Sequence, residues 1–113
     1  MKIREGTALV ENIVVNGLLA GAEAEIYACP VMCKATIETL VFENTHAANV
    51  NTVKLYTQPS GGASRLFREV ALDPGDSLSE EMLKLDGGGS LRGEATNVDE
   101  VTFTLSGIEE SVI

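Results

Sequence analysis

Gly87, Gly88 and Gly89, followed by Ser90 in "LDGGGSLRGEA" (85–95), come nearest in this chain to residues whose types and spacing could do chemistry. Consecutive glycine amides can cradle a phosphate when a lysine reaches the anion and a helix N-terminus follows. Here Ser90 is followed by Leu91, Arg92 and Gly93, which alternate as a strand does. The dinucleotide fingerprint also fails, because with Gly87 and Gly89 as its first glycines the third falls on Arg92. The stretch reads as a hairpin turn, with glycine supplying backbone freedom.

The other reactive groups are scattered. His46 is the only histidine and lies in the polar loop "ENTHAAN". A catalytic triad needs a nucleophile and an acid beside the histidine, and no nucleophile elbow is present. The acidic pairs Glu80–Glu81, Asp99–Glu100 and Glu109–Glu110 are sequence neighbours, so in strands they point to opposite faces. "DPGD" and "LDGGGS" carry too few acids for a calcium loop. Cys29 and Cys33 stand in "CPVMC". An extended path would hold their Cα atoms about 13 Å apart, from a rise of about 3.3 Å per residue. A disulfide needs less than about 7 Å, and hence a turn at Pro30. Zinc needs about four ligands, so the thiols read as small buried hydrophobes. The chain is therefore expected to hold no catalytic residue, no metal and no cofactor, and not to be an enzyme.

Bulk properties narrow the partners. At 113 residues the chain suits one domain. Hydrophobic residues make up 44% and charged residues 22%, a globular composition; tryptophan is absent and aromatics are 4%, so the core must be aliphatic. The net charge is −9, and the 8 lysines and arginines occur singly. Neutralising a phosphate backbone needs clustered cations, and aromatic platforms between basic residues are missing, so direct nucleic-acid binding is not expected. An anionic membrane would repel this surface. The run "TALVENIVVNGLLAGA" is broken by Glu11, Asn12 and Asn16, which excludes a spanning helix, and Glu5 interrupts any signal-peptide core after "MKIREG". The protein is read as made and folded in the cytoplasm.

The elements that would position side chains are strands. In "DEVTFTLSG", Val101, Phe103 and Leu105 alternate with Thr102, Thr104 and Ser106. "AEAEIYA", "NTVKLYT" and "SLRGEA" alternate likewise, with Tyr27 and Tyr56 on the outward phase. In "KATIETLVFEN" the phase switches between Ile37 and Leu40; a bulge at Glu38 or Thr39 would restore one apolar face, and a strand covered on both sides is the alternative. "NTHAAN", "QPSGGAS", "DPGD", "DGGGS" and "NVD" punctuate these runs. "DPGD" suits a turn with Pro74 first and Gly75 at a positive φ. For "SLSEEMLKLDGG" a helix capped by Ser77 or Ser79 is possible, but short flanking loops favour a strand whose bulge turns Leu83 and Leu85 inward.

Three stretches are together similar to small structural proteins of tailed bacteriophages: "IYACPVMCKATIETLVFENTHAANVNTVKLYTQPSGGASRLF", "ALDPGDSLSEEMLKLDGGGSLRGEA" and "VTFTLSGIE". The likeness covers about residues 18–110. It rests on Ala35, Ile37, Asn44, Val53, Leu55, Gly75, Leu85, Gly89, Leu91 and Gly107, which are packing and turn positions. It implies a β-sandwich of the virion that decorates or cements the capsid, or sits in the neck or tail. The cysteine pair departs from the pattern.

The reading is an all-β protein: an antiparallel, jelly-roll-like sandwich of about seven or eight strands, at 7–15, 22–28, 34–44, 50–57, 65–72, 77–85, 90–96 and 100–109. The expected core is Ile26, Ile37, Leu40, Phe42, Val53, Leu55, Leu66, Leu72, Leu83, Leu85, Leu91, Val101, Phe103 and Leu105. Residues 1–21 form an N-terminal strand or assembly arm, and 22–113 the sandwich domain. Leu9, Val10, Ile13, Val14, Val15, Leu18 and Leu19 are the candidate assembly interface, and deleting residues 1–20 is expected to abolish assembly while sparing the fold. The function expected is that of a virion protein. It would associate with its own copies and with the major capsid protein or other virion proteins. A glycan-binding module using Tyr27 or Tyr56 is the competing class.

Overall fold

The computed structural model describes residues 10–111. Its strands are β1 (Val10–Leu18), β2 (Ala24–Ala28), β3 (Cys33–Asn44), β4 (Asn51–Gln58), β5 (Arg65–Leu72), β6 (Ser77–Asp86), β7 (Ser90–Glu94) and β8 (Val101–Ser111). They form two four-stranded sheets in the orders β1-β8-β3-β6 and β2-β7-β4-β5, with every pairing antiparallel. The pairings are nested: β4 with β5, β3 with β6, β2 with β7 and β1 with β8. One long ribbon folded at the β4–β5 hairpin and rolled up gives this pattern, which is a jelly roll. Residues 77–86 are a strand, as the short flanking loops require. The glycine stretch is not a hairpin, because β6 and β7 lie in different sheets and the connection crosses between them.

Bulges explain where simple alternation misleads. β3 slips by one residue against β8 between Ile37 and Thr39, so Ala35, Ile37, Leu40 and Phe42 all face inward despite their phase change. In β6, Met82 takes a φ of 57°, and beyond it Leu85 is buried and Leu83 half-buried. β2 slips between Glu25 and Tyr27, which buries both Ile26 and Tyr27. Tyr27 was expected outward; instead its hydroxyl donates to the Glu109 carboxylate inside the sandwich. Burial, then that carboxylate, holds the Tyr27 hydroxyl well above the usual phenol range. In β5 the register passes from Arg68 opposite Leu55 to Leu66 opposite Tyr56, with Phe67 as the extra residue. Leu66, expected in the core, is thereby turned out and is 49% exposed.

The core sits between the sheets. Ile37, Leu40, Phe42, Val53, Leu55, Leu91, Val101 and Leu105 are sealed from solvent. Each such large side chain contributes roughly 1.5–3 kcal/mol. Leu19, Leu78, Ala35 and Ala95 join them from outside the expected core, and Cys29 is buried as expected of it. Arg68 on β5 reaches Glu80 on β6 at 2.8 Å, closing one open side of the sandwich.

At one end the core gives way to a sealed polar network. Asn44 and Asn51 are both 0% exposed. The Asn44 amide donates to Leu72 O (2.9 Å) and Asn49 O (2.8 Å), and its oxygen accepts from His46 N (3.1 Å) and the Asn51 amide (3.2 Å). Asn51 also donates to Glu100 and accepts from Asn97 N. That donation from Asn51 is the main reason the Glu100 carboxyl lies below its ordinary value. The network ties the β3–β4 and β7–β8 loops to the end of β5.

Candidate assembly interface

The candidate interface residues divide by their position on β1. Leu9 lies outside the described residues. β1 pairs with β8 of its own chain without a register slip from Val10 to Leu18. Ile13 and Val15 lean on the core, and Leu19, just past the strand, is buried. Val10, Val14 and Leu18 point outward and are 56%, 69% and 50% exposed. The set is therefore two-sided, since successive strand residues face opposite ways. Removing residues 1–20 would strip a strand from β8 and uncover the core at Leu19. The truncation expected to spare the fold would damage it.

The outward part of this set continues across the sheet. The cross-strand rows run Asn16–Thr104–Val41–Ser79, Val14–Ser106–Thr39–Glu81 and Asn12–Ile108–Thr36–Lys84. Charge enters these rows only on β6. Flanking rows add Glu43, Glu110, Lys34 and Asp86 at the two ends of the sheet. The centre of this face is made of valine, isoleucine, asparagine, threonine and serine around one exposed acid, Glu38 of the β3 bulge, and Thr39 and Ser106 hydrogen-bond each other there at 2.8 Å. The hydroxyl residues of β8 signal an outward face in the sequence. Their junction with Asn12, Val14 and Asn16 depends on the β1–β8 pairing, which no local pattern encodes.

The opposite sheet presents a different outer face. Arg92 pairs with Glu23 at 2.7 Å, and Lys54 stands between Glu94 and Glu69 in register. Tyr56 donates to Glu94, which, with some burial, pushes its hydroxyl up to about 12. With Tyr27 buried and Tyr56 tied to a carboxylate, the aromatic pair invoked for sugar stacking is not displayed on one surface.

The remaining candidates are structural. The Gly88 amide donates to Cys29 O and the Gly89 amide to Asp86 O, both at 2.9 Å, so neither is free to hold an anion. Gly87 packs on the Pro30–Cys33 turn, where an added Cβ would lie 3.1 Å from Cys33 O. The neighbouring surface cleft, about 490 Å³, carries Arg65, Lys84 and Asp86. His46 Nδ1 accepts the amides of Ala48 (3.1 Å) and Asn49 (2.9 Å), which places the neutral ring's proton on Nε2, 3.7 Å from Glu100. The ring is a loop cap rather than a free surface group. Among the described residues, no group of three histidine, cysteine or acidic side chains gathers to hold a metal.

No protein-family model matches the sequence, and no curated protein does. Solved structures do match in fold. A subunit of Bacillus endospore appendages, described as a novel family of disulfide-linked pili, aligns over 95% of this chain and 90% of its own with a TM-score of 0.60 and 14% identity. A chain of the acid-stable capsid of Helicobacter pylori bacteriophage KHP30 aligns over 95% and 91%, with a TM-score of 0.55 and 8% identity. A chain of the T13 IBDV viral particle gives a TM-score of 0.51 at 11% identity; 94% of this chain spans 31% of that one. At these identities the likeness is one of fold.

The thiols of this chain are placed for packing. Both are free; Cys29 is buried, with its Sγ directed at Pro30 O, and Cys33 is half-buried at the start of β3. Burial, then Cys33, raises the Cys29 thiol above its ordinary range, so its reactive thiolate is suppressed. In native protein, Cys33 should react with Ellman's reagent while Cys29 reacts only at the rate of unfolding. Rapid labelling of both thiols would contradict this packing.

Proposed function

We infer that the protein is a structural component of a bacteriophage virion, decorating or cementing the capsid through protein–protein contacts. The observation that carries this reading is the charge-poor centre of the outer β1-β8-β3-β6 face, where Glu38 of the β3 bulge is the one acid on the inner strands, in a chain of net charge −9. Interface cores are depleted of charge because stripping water from an ion costs more than close packing returns. This face can be covered without breaking an ion pair. Covering the other would dehydrate Arg92, Glu23 and Lys54. The sequence likeness to tailed-phage structural proteins supports the reading, as does a fold shared with a phage-capsid chain of nearly equal length. The partners are the major capsid protein or other virion proteins, and the protein's place is the virion.

The test is addition of full-length protein to virions purified from a phage that lacks it, followed by sedimentation and cryo-electron microscopy. Saturable binding with density over the capsid is expected. Thr104→Lys, at the centre of the face, should weaken binding at least about tenfold, a loss of about 1.4 kcal/mol, with an unchanged melting curve. Density at the neck or tail would replace decoration by that location. A folded protein that binds no part of the particle would overturn the reading.

A further inference from the structure

Sheet edges attract other strands, and proteins normally blunt them with charge, proline or bulges. Most edges here are blunted. β2 has a register slip and Glu25; β5 has Arg65, Arg68, Glu69 and a slip at Phe67. β6 has Glu80, Glu81, Lys84 and the positive-φ Met82. β1 differs: "VENIVVNGL" runs in unbroken register, contains no proline, and has Glu11 as its only charge. Its outer face carries the exposed Val10, Val14 and Leu18.

The strand is also nearly a palindrome about Val14. Outward residues read Val10, Asn12, Val14, Asn16, Leu18, and inward ones Glu11, Ile13, Val15, Gly17. Such a pattern complements itself when two copies run antiparallel, which is the condition for a two-fold interface. We propose that β1 pairs with β1 of a second copy, antiparallel about Val14, joining two β1-β8-β3-β6 sheets into one continuous sheet.

In that register Val10 meets Leu18 of the partner subunit, Asn12 meets Asn16 of the partner subunit, and the two Val14 side chains meet on the axis. Apolar contacts alternate with amide pairs, each of which can both donate and accept. Inside, Ile13 faces Val15 of the partner subunit. Glu11 faces Gly17 of the partner subunit, which offers no like charge. The two charge-poor outer faces then lie side by side. A charged surface that repels its own copies elsewhere leaves this edge as the place for them to meet. The inference does not need the virion reading; a dimer on β1 stands even if the protein never meets a particle.

Sedimentation equilibrium of the full chain should give a dimer. Val14→Lys sets two ammonium groups together on the axis and should weaken dimerisation on the order of a hundredfold, while the monomer keeps the β-sheet circular-dichroism spectrum of the wild type. Met82→Lys, on the β6 edge, should leave the dimer intact. Val14→Cys should form an interchain disulfide on mild oxidation, whereas Ser79→Cys on the same face should not. A wild-type monomer throughout the micromolar range would overturn the proposal. So would a dimer that survives Val14→Lys and is not cross-linked through position 14.

Discussion

Gly107→Ala should cost about 3 kcal/mol or more and lower the melting temperature on the order of 15 °C, or prevent folding altogether. The reason lies in the β3 bulge. A Cβ at position 107 would stand 2.1 Å from Thr36 O and 2.9 Å from Ile37 Cα. Both are backbone atoms, so no side chain can swing aside. The strands would have to separate where β8 meets β3, at the centre of their sheet, and the packing of Ile37 and Leu105 would go with them. Gly21→Ala is the control, because its nearest neighbour outside the turn is 3.6 Å away and its stability should hardly change. Thermal melts followed by circular dichroism decide the matter; equal melting temperatures for the two variants would show that β3 does not bulge against Gly107.

Asn44→Asp should be the most damaging isosteric change in the polar network, also about 3 kcal/mol or more at neutral pH. The shape is unaltered, so no cavity forms. The amide that donates to Leu72 O and Asn49 O becomes an oxygen, which sets a buried charge against two carbonyl lone pairs. Desolvation and these carbonyls raise the new carboxyl's folded value above its unfolded one. A carboxyl raised in the folded state is favoured there in its protonated form. The loss is therefore greatest above the folded value and shrinks as pH falls toward the unfolded one. Urea melts across this range should show the variant recovering relative to wild type in acid. A constant gap at all pH values would mean that the side chain is not sealed.

Most strand boundaries were legible because each strand half-faces water, and period-two alternation follows from that alone; the first strand, expected to end at residue 15, runs on to Leu18 because its pairing with β8 continues to Thr102. Even the β3 bulge left a trace, since Ile37 and Leu40 cannot share a face without an extra residue. The positions misread are those where a bulge left no such trace. Tyr27 sits in locally regular alternation and Leu66 in phase with Val70 and Leu72, and only slips against β7 and β4 turned one inward and the other outward. Asn44 stood at the start of the polar breaker "NTHAAN" and Asn51 at the start of the strand "NTVKLYT", and neither was expected in the core. Their burial comes from three loops meeting at one end of the sandwich. The glycines read correctly as a connection and wrongly as a hairpin, because whether successive strands pair or cross is not a local property.

For the candidate interface the division is the same. By itself the sequence determined that this is an aliphatic all-β chain with scattered reactive groups, that its N-terminal stretch is apolar, and that β8 carries hydroxyls on one side. Those features follow from composition and from the two-residue repeat of a strand. Only the tertiary structure decided that β1 lies beside β8, that Val10, Val14 and Leu18 face out while Leu19 is buried, and that an edge with one charge and no bulge is left open among the described residues. Pairing between residues some ninety positions apart is set by the whole rolled ribbon, whose register depends on every bulge along it.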